Sequence, residues 1–152
     1  MAMYYRKLVE ADLDIFIQMR IDQLREEGAQ SDADLVVSLR TYYMKHLHDQ
    51  TFVAWLAIDA GEIVGTCGIS FVEKPPYYSC ISGKIGLLSS MYVVGNYRRQ
   101  GIAKNLLDKI VHEAKEFGCD VIQITASDVG VSLYSDYGFR KNHNFMQYEI
   151  QE

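Results

Sequence analysis

A chain of 152 residues has the length of one domain and can bury most of the surface that it exposes when unfolded, so we expect a single domain over residues 1–152. The formal net charge of −5 is opposite to that of a typical nucleic-acid-binding domain. Three isolated cysteines without CxxC or Cys/His spacing argue against zinc and a disulfide framework, and they favour the reducing cytoplasm. With no signal peptide and no apolar run long enough for a bilayer, we expect a soluble protein with no membrane partner.

The first half of the chain predicts a strand, two helices and a hairpin. The strand covers residues 4–9, and a helix begins at Glu10 with apolar side chains at helical spacing. After the turn at Gly28, Ser31 and Asp34 resemble a capping box that starts a second helix. Two apolar runs rich in β-formers, separated by the sequence DAGE, then predict an antiparallel hairpin.

The second half predicts a β-α-β unit followed by a short helix and a last strand. After a Pro-containing loop come the predicted elements: a strand over 84–94, a helix ended by Gly118, a strand over 121–126, a helix over 129–137 and an edge or hairpin strand over 144–150. The two strands of the β-α-β unit should be parallel, joined by a right-handed crossover. The whole pattern predicts an α/β or α+β fold around a mixed sheet.

The start of the third long helix has an unusual charge pattern. In the sequence MYVVGNYRRQGIAKNLLDKI, cations at Arg98, Arg99 and Lys104 surround Gly101, and the first acid is Asp108, nearly two turns into the helix. A helix start carries free N–H groups and partial positive charge, so acids usually lie there. The pattern indicates an anion site that suits phosphate or pyrophosphate, with a solvated basic turn as the alternative. The P-loop and GxGxxG dinucleotide motifs are both absent.

Two segments of the chain resemble one enzyme family. The sequence RRQGIA, residues 98–103, resembles the (R/Q)xxGx(G/A) motif of the GNAT superfamily of acetyltransferases, and residues 126–139 resemble its later segment with an LYxxxGF core. The order and spacing of the predicted elements are similar to the GNAT fold over essentially the whole chain. The resemblance implies a mixed central sheet of about six to seven strands flanked by about four helices.

The resemblance also implies acetyl-coenzyme A as cosubstrate, with no metal. Backbone groups near Met91 and Val93 would pair with the pantetheine arm. The pyrophosphate would be bound by the loop and helix start, namely Arg98, Arg99, Gln100, Gly101, Ile102, Ala103 and Lys104. Tyr134, the tyrosine of LYxxxGF, would be the general acid that protonates the leaving thiolate. The alternative for Tyr134 is a packing role.

The general base is where this sequence departs from the family. Many members carry a glutamate on the fourth strand, but KIGLLSSMYVV contains neither an acid nor a histidine. Glu73, just before the Pro-containing loop, is a weak base candidate, and a water bound by carbonyls and Ser89 or Ser90 is an equal alternative. The oxyanion donor is expected to be a backbone N–H near Met91.

We therefore expect an N-acetyltransferase that moves an acetyl group from acetyl-coenzyme A to a primary amine in a ternary complex. The acceptor is a small-molecule or peptide amine, bounded by residues 21–43 and by the loop over 73–83. Arg20 and Arg25 would select a carboxylate only if they turn inward. The alternative function is a non-catalytic acyl-coenzyme A sensor, which the missing strand-four acid favours. The resemblance leaves a homodimer open.

Overall fold

The computed structural model describes residues 3–29, 34–126, 130–142 and 145–150. Five strands and four α-helices lie in these ranges: β1 (Tyr4–Lys7), α1 (Leu13–Glu26), α2 (Val36–His48), β2 (Phe52–Asp59), β3 (Glu62–Glu73), β4 (Lys84–Val93), α3 (Ile102–Phe117), β5 (Val121–Gln123) and α4 (Val131–Tyr137). The strands form one sheet in the order β1-β2-β3-β4-β5. Only the β4–β5 pair is parallel, which makes the sheet mixed, as the sequence predicts.

The hairpin of β2 and β3 follows from its turn residues. Ala60 and Gly61 both have positive φ, 51° and 80°, as a two-residue turn with the twist of the strands requires. Five of the eight β2 residues are buried, and Ala54 and Leu56 are at 0% exposure. The hairpin therefore forms the centre of the sheet.

Helices cover both faces of the sheet. On one face, α1 and α2 pack against β2 through a cluster that includes Phe16, Tyr43 and Phe52. On the other face, α3 and α4 pack through a cluster that includes Leu106 and Ile110. This three-layer arrangement gives the chain two apolar cores separated by the sheet.

The β4 strand is irregular near its carboxyl end. Opposite Cys67, the β3–β4 register shifts, and β4 gains a bulge in which Ser90 has a φ of 58°. On its other edge, β4 pairs with β5 only as far as Leu87 and Gln123. From that point to Val93 the two parallel strands no longer bond to each other, so a gap opens beside the bulge.

The last strand, predicted over residues 144–150, is not formed in residues 145–150, and Asn144 lies outside the described residues. Residues 145–150 form neither helix nor strand, and Phe145, Met146, Tyr148 and Ile150 are 78–92% exposed. A strand needs a neighbour to bond to, and β5 is only three residues long. The sheet thus has five strands in the described ranges, fewer than the six to seven expected.

The starts of two predicted helices lie partly outside the described residues. The second helix begins at Val36, whose N–H donates a hydrogen bond to the Asp34 carboxylate at 3.0 Å. Ser31, the other member of the predicted capping box, lies outside the described residues, and so does Val129, the predicted start of the last helix. Within the described part of the chain, α4 begins at Val131.

We expect Leu106→Ala to destabilise the protein by about 3 kcal/mol, because it removes a fully buried side chain of α3 and leaves a cavity between that helix and the sheet. Urea denaturation followed by circular dichroism measures this. The matched control, Leu35→Ala, removes a side chain that is 41% exposed and should cost less than about 1 kcal/mol. Equal costs for the two variants would contradict the described packing of α3.

Candidate active site

The start of α3 offers backbone N–H groups to an anion. Gly101, the residue before the helix, has a φ of +82°, and the first helical bond runs from the Asn105 N–H to the Gly101 carbonyl. The N–H groups of Ile102 to Lys104 precede that bond, and the first turn contains no acid and no side-chain cap. The expected open, positively polarised helix end is therefore present.

The cations around this helix start also make contacts within the protein. Arg98 donates from Nε to the Val93 carbonyl at 2.7 Å, and its Nη2 donates to both oxygens of Glu26 at 3.1 and 3.2 Å. Lys104 pairs with Asp108 at 3.6 Å, while Arg99 is exposed with a φ of 64°. Arg98 thus ties the loop to the carbonyl of β4 and to the last residue of α1.

Gln100 completes the loop. Its Nε2 donates to the Asn96 carbonyl at 3.3 Å, across the short 3-10 turn Gly95–Tyr97 that joins β4 to this loop. The Tyr97 hydroxyl donates to Asp59 at 2.7 Å, which anchors the same turn to the end of β2. The Tyr97 hydroxyl therefore ties the start of the loop to β2, and the Gln100 bond closes the loop onto its own start.

The bulge of β4 places polar groups beside the gap. The Thr66 hydroxyl donates to the Ser90 carbonyl at 2.6 Å, and Gln23 Nε2 donates to the Met91 carbonyl at 3.0 Å. Ser90 is 2% exposed, and its hydroxyl lies beside that of Tyr43, where burial raises the pKa of Tyr43 and the interaction with Ser90 partly offsets this.

Tyr134 lies on α4 and is 6% exposed, within the core cluster against which Met91 also packs. Its ring contacts Phe139 edge to face at 5.5 Å. Burial raises the pKa of Tyr134 well above its ordinary value, and the nearby Cys67 and Glu27 contribute in the same direction. A tyrosine phenol is protonated at neutral pH even without this rise in pKa, so Tyr134 has a proton to donate.

Glu73, the candidate base, does not lie near the carboxyl end of β4, where Met91 is found. Glu73 pairs in register with Lys84 at the amino end of β4, whereas Met91 lies near the carboxyl end. At about 3.3 Å per strand residue, the two ends are on the order of 20 Å apart. The loop over 73–83, expected to border the acceptor, begins at that same distant end.

Three residues near the end of α1 lie in the range 21–43 that is expected to border the acceptor, and each makes a contact that the sequence does not predict. Gln23 bridges the helix to Met91, Glu26 accepts from Arg98, and Glu27 accepts from Gln23 at 3.3 Å. Hydrogen bonds from Tyr92 and Arg98 lower the pKa of Glu26. A sequence signal existed only for Gln23, a polar residue seven positions after the buried Phe16 and thus on the same helix face.

Within residues 3–29, 34–126, 130–142 and 145–150, no group of three or more His, Cys, Asp or Glu side chains is placed to hold a metal ion. Over the same ranges, no helix combines the length and the apolar character needed to cross a membrane.

Comparison with known sequences identifies one family. The sequence model of the Acetyltransferase (GNAT) family matches residues 14–139. N-acetyltransferase 8 from Rattus norvegicus is 36% identical over 100 residues, a match that covers 63% of this chain and 43% of that protein. N-acetyltransferase 8 from Mus musculus is 33% identical over 90 residues, covering 57% and 38%. The match spans less than half the length of these curated relatives.

Solved structures agree with the sequence comparison. A predicted acetyltransferase with acetyl-CoA from Clostridium acetobutylicum superposes with a TM-score of 0.94 at 32% identity, covering 97% of this chain and 96% of that chain. A GCN5-related N-acetyltransferase from Ralstonia eutropha JMP134 has the same fold, with a TM-score of 0.91 at 24% identity and coverage of 97% and 99%.

The raised pKa of Tyr134 predicts how stability depends on pH. The folded state retains the phenolic proton to higher pH than the unfolded state does, so this contribution is complete below about pH 10 and is lost as the pH rises through the folded value. We expect the free energy of unfolding of the wild type to fall between about pH 9 and about pH 11 more steeply than that of Tyr134→Phe. Urea denaturation across this range measures the difference. Parallel curves would contradict the buried position of the phenol.

Proposed function

The chain belongs to the GNAT family of acetyltransferases, and from this membership we propose that it transfers the acetyl group of acetyl-CoA to a primary amine by direct attack in a ternary complex. The observation that carries the proposal is the proximity of an open helix start, an unpaired strand edge and a buried phenol. The match over residues 14–139 supports one catalytic domain. Three free cysteines support a reducing, cytoplasmic location.

The helix start and the edge of β4 together suit the two parts of acetyl-CoA. The pyrophosphate would bind the N–H groups from Arg99 to Lys104, with the nearby cations adding charge. The pantetheine amides would follow β4 at Met91 and Val93. The carbonyls of these two residues already accept from Gln23 and Arg98, but each oxygen has a second lone pair.

The chemistry requires an activated acyl group, a stabilised oxygen and a proton for the thiolate. Acetyl-CoA supplies the acyl group as a thioester. A backbone N–H near the β4 bulge would stabilise the negative charge that develops on the carbonyl oxygen. Tyr134, which is protonated at neutral pH as any tyrosine is, would be the proton donor to the departing sulfur.

A second candidate function is a sensor that binds acyl-CoA without turnover. Its support is that β4 supplies no carboxylate or histidine as a base. Its weakness is Tyr134, because a binding module has no use for a protonated phenol at this position. The two functions predict different effects of removing the Tyr134 hydroxyl, because only a transferase would lose catalytic rate.

We expect Tyr134→Phe to reduce the rate of amine-dependent thiol release at least about 100-fold while the Kd for acetyl-CoA changes by less than about twofold, because the variant loses only the proton donor. Thiol release and calorimetry measure the two quantities.

Tyr137→Phe is the matched control for this experiment. It removes a phenol one turn later on α4 that instead donates to Asp108 at 2.8 Å, so near-wild-type rates are expected. Binding of acetyl-CoA by the wild type, without turnover of any amine, would favour the sensor. Unchanged turnover in Tyr134→Phe would remove the general acid from the mechanism.

We expect Gly101→Ala to weaken acetyl-CoA binding about tenfold. A side chain at a φ of +82° costs about 1–2 kcal/mol, and relief of that strain moves the N–H groups that follow. Calorimetric titration measures the Kd. Gly95→Ala is the control, because a Cβ at Gly95 meets nothing within 4 Å and its φ is not positive. Equal affinities in the two variants would exclude this helix start as the pyrophosphate site.

A further inference from the structure

Three polar side chains at the end of α1 and just after it form a connected row, and the middle one contacts β4. Arg20, Gln23 and Glu27 lie three and four positions apart, so they share one helix face. Arg20 Nη1 donates to Gln23 Oε1 at 2.9 Å. This contact fixes the orientation of the Gln23 amide, so that its NH₂ group is the part that reaches towards the strand.

The Gln23 amide brings a carboxylate to the gap in the sheet. Its Nε2 donates to the Met91 carbonyl at 3.0 Å and to Glu27 Oε2 at 3.3 Å, so both oxygens lie beside the same nitrogen. Gln23 itself is 8% exposed, whereas Glu27 is exposed and open to a ligand. The Glu27 charge also contributes to the raised pKa of Tyr134, which indicates that the carboxylate and the phenol lie near each other.

The neighbouring glutamate is directed elsewhere. Both oxygens of Glu26 accept from Arg98, and Tyr92 also bonds to this carboxylate. Glu26 therefore belongs to the loop before α3. Of these two consecutive glutamates, Glu27 is the one that Gln23 holds next to Met91.

We propose that Glu27 binds the ammonium group of the acceptor and takes its proton, which makes the acceptor a cationic primary amine. This inference rests on the proposed transferase function and supplies the base that β4 lacks. Glu27 lies at the carboxyl end of α1, where the helix carries partial negative charge. This partial charge attracts a cation in addition to the charge of the Glu27 carboxylate itself. Arg20, which donates to Gln23, acts here as a positioning residue.

The proton and electron balance is complete with the groups named. Glu27 takes one proton from the ammonium, directly or through a water, and later releases it to solvent. The nitrogen lone pair then forms the C–N bond at the thioester carbonyl, and the C–S bond breaks with its electrons on sulfur. Tyr134 gives its proton to that sulfur and is reprotonated by the second proton of the amine through solvent.

The test compares the wild type, Glu27→Gln and Glu27→Asp. Thiol release is measured at saturating acetyl-CoA with three probes: 1,5-diaminopentane, glucosamine and a lysine-containing peptide. We expect Glu27→Gln to lower kcat/KM for the preferred probe about 100-fold, with the Kd for acetyl-CoA within about twofold and Glu27→Asp partly active. Thermal melting verifies that each variant is folded.

Glu116→Gln is the control for loss of one negative charge. Glu116 lies exposed on α3, where it pairs with His112 at 3.6 Å, and its variant should keep the wild-type kcat/KM. Wild-type efficiency in Glu27→Gln would overturn the inference and leave the transferase intact. Binding of acetyl-CoA by the wild type without turnover of any probe would reject the transferase, and the role of Glu27 with it.

Discussion

The early end of the β4–β5 pairing is the constraint on which the candidate site depends. The two strands are bonded only as far as Leu87 and Gln123, although β4 continues to Val93. Backbone groups on the unpaired edge need other partners, because a buried N–H or C=O without one is costly. Side chains from outside the sheet supply some of these partners, since Gln23 and Arg98 donate to the carbonyls of β4. The groups that remain are those that a ligand can use.

The loop before α3 and the end of α1 are joined at this edge. Arg98 contacts both the Val93 carbonyl and Glu26, and the next residue, Glu27, contacts Gln23. Two consecutive glutamates thus face two different parts of the site, one towards the proposed cofactor loop and one towards the β4 bulge. A shift of Arg98 on cofactor binding would therefore act directly on the end of α1 that carries the proposed acceptor carboxylate.

Local pattern predicted much of this fold, and long-range pairing explains what it did not predict. The apolar residues of α3 recur at helical spacing, and a glycine lies before and after the helix. These local features were enough to predict α3 from a short stretch of sequence. The strand expected over 144–150 had the right alternation, but whether a strand forms depends on a neighbour that the alternation does not describe. Glu73 is close to β4 in sequence but is paired at its far end. The role of Gln23 depends on a contact across 68 residues, which no local pattern contains.

Two helix ends of opposite polarity flank the unpaired edge, and under the proposed function they would receive two substrates of opposite charge. The amino end of α3 carries partial positive charge and suits a pyrophosphate, whereas the carboxyl end of α1 carries partial negative charge and suits an ammonium. Because β4 lies between them, an acyl group carried along its edge would meet an amine held at Glu27. In this proposal a base on the strand itself is unnecessary, since Gln23 holds the Glu27 carboxylate next to the Met91 carbonyl.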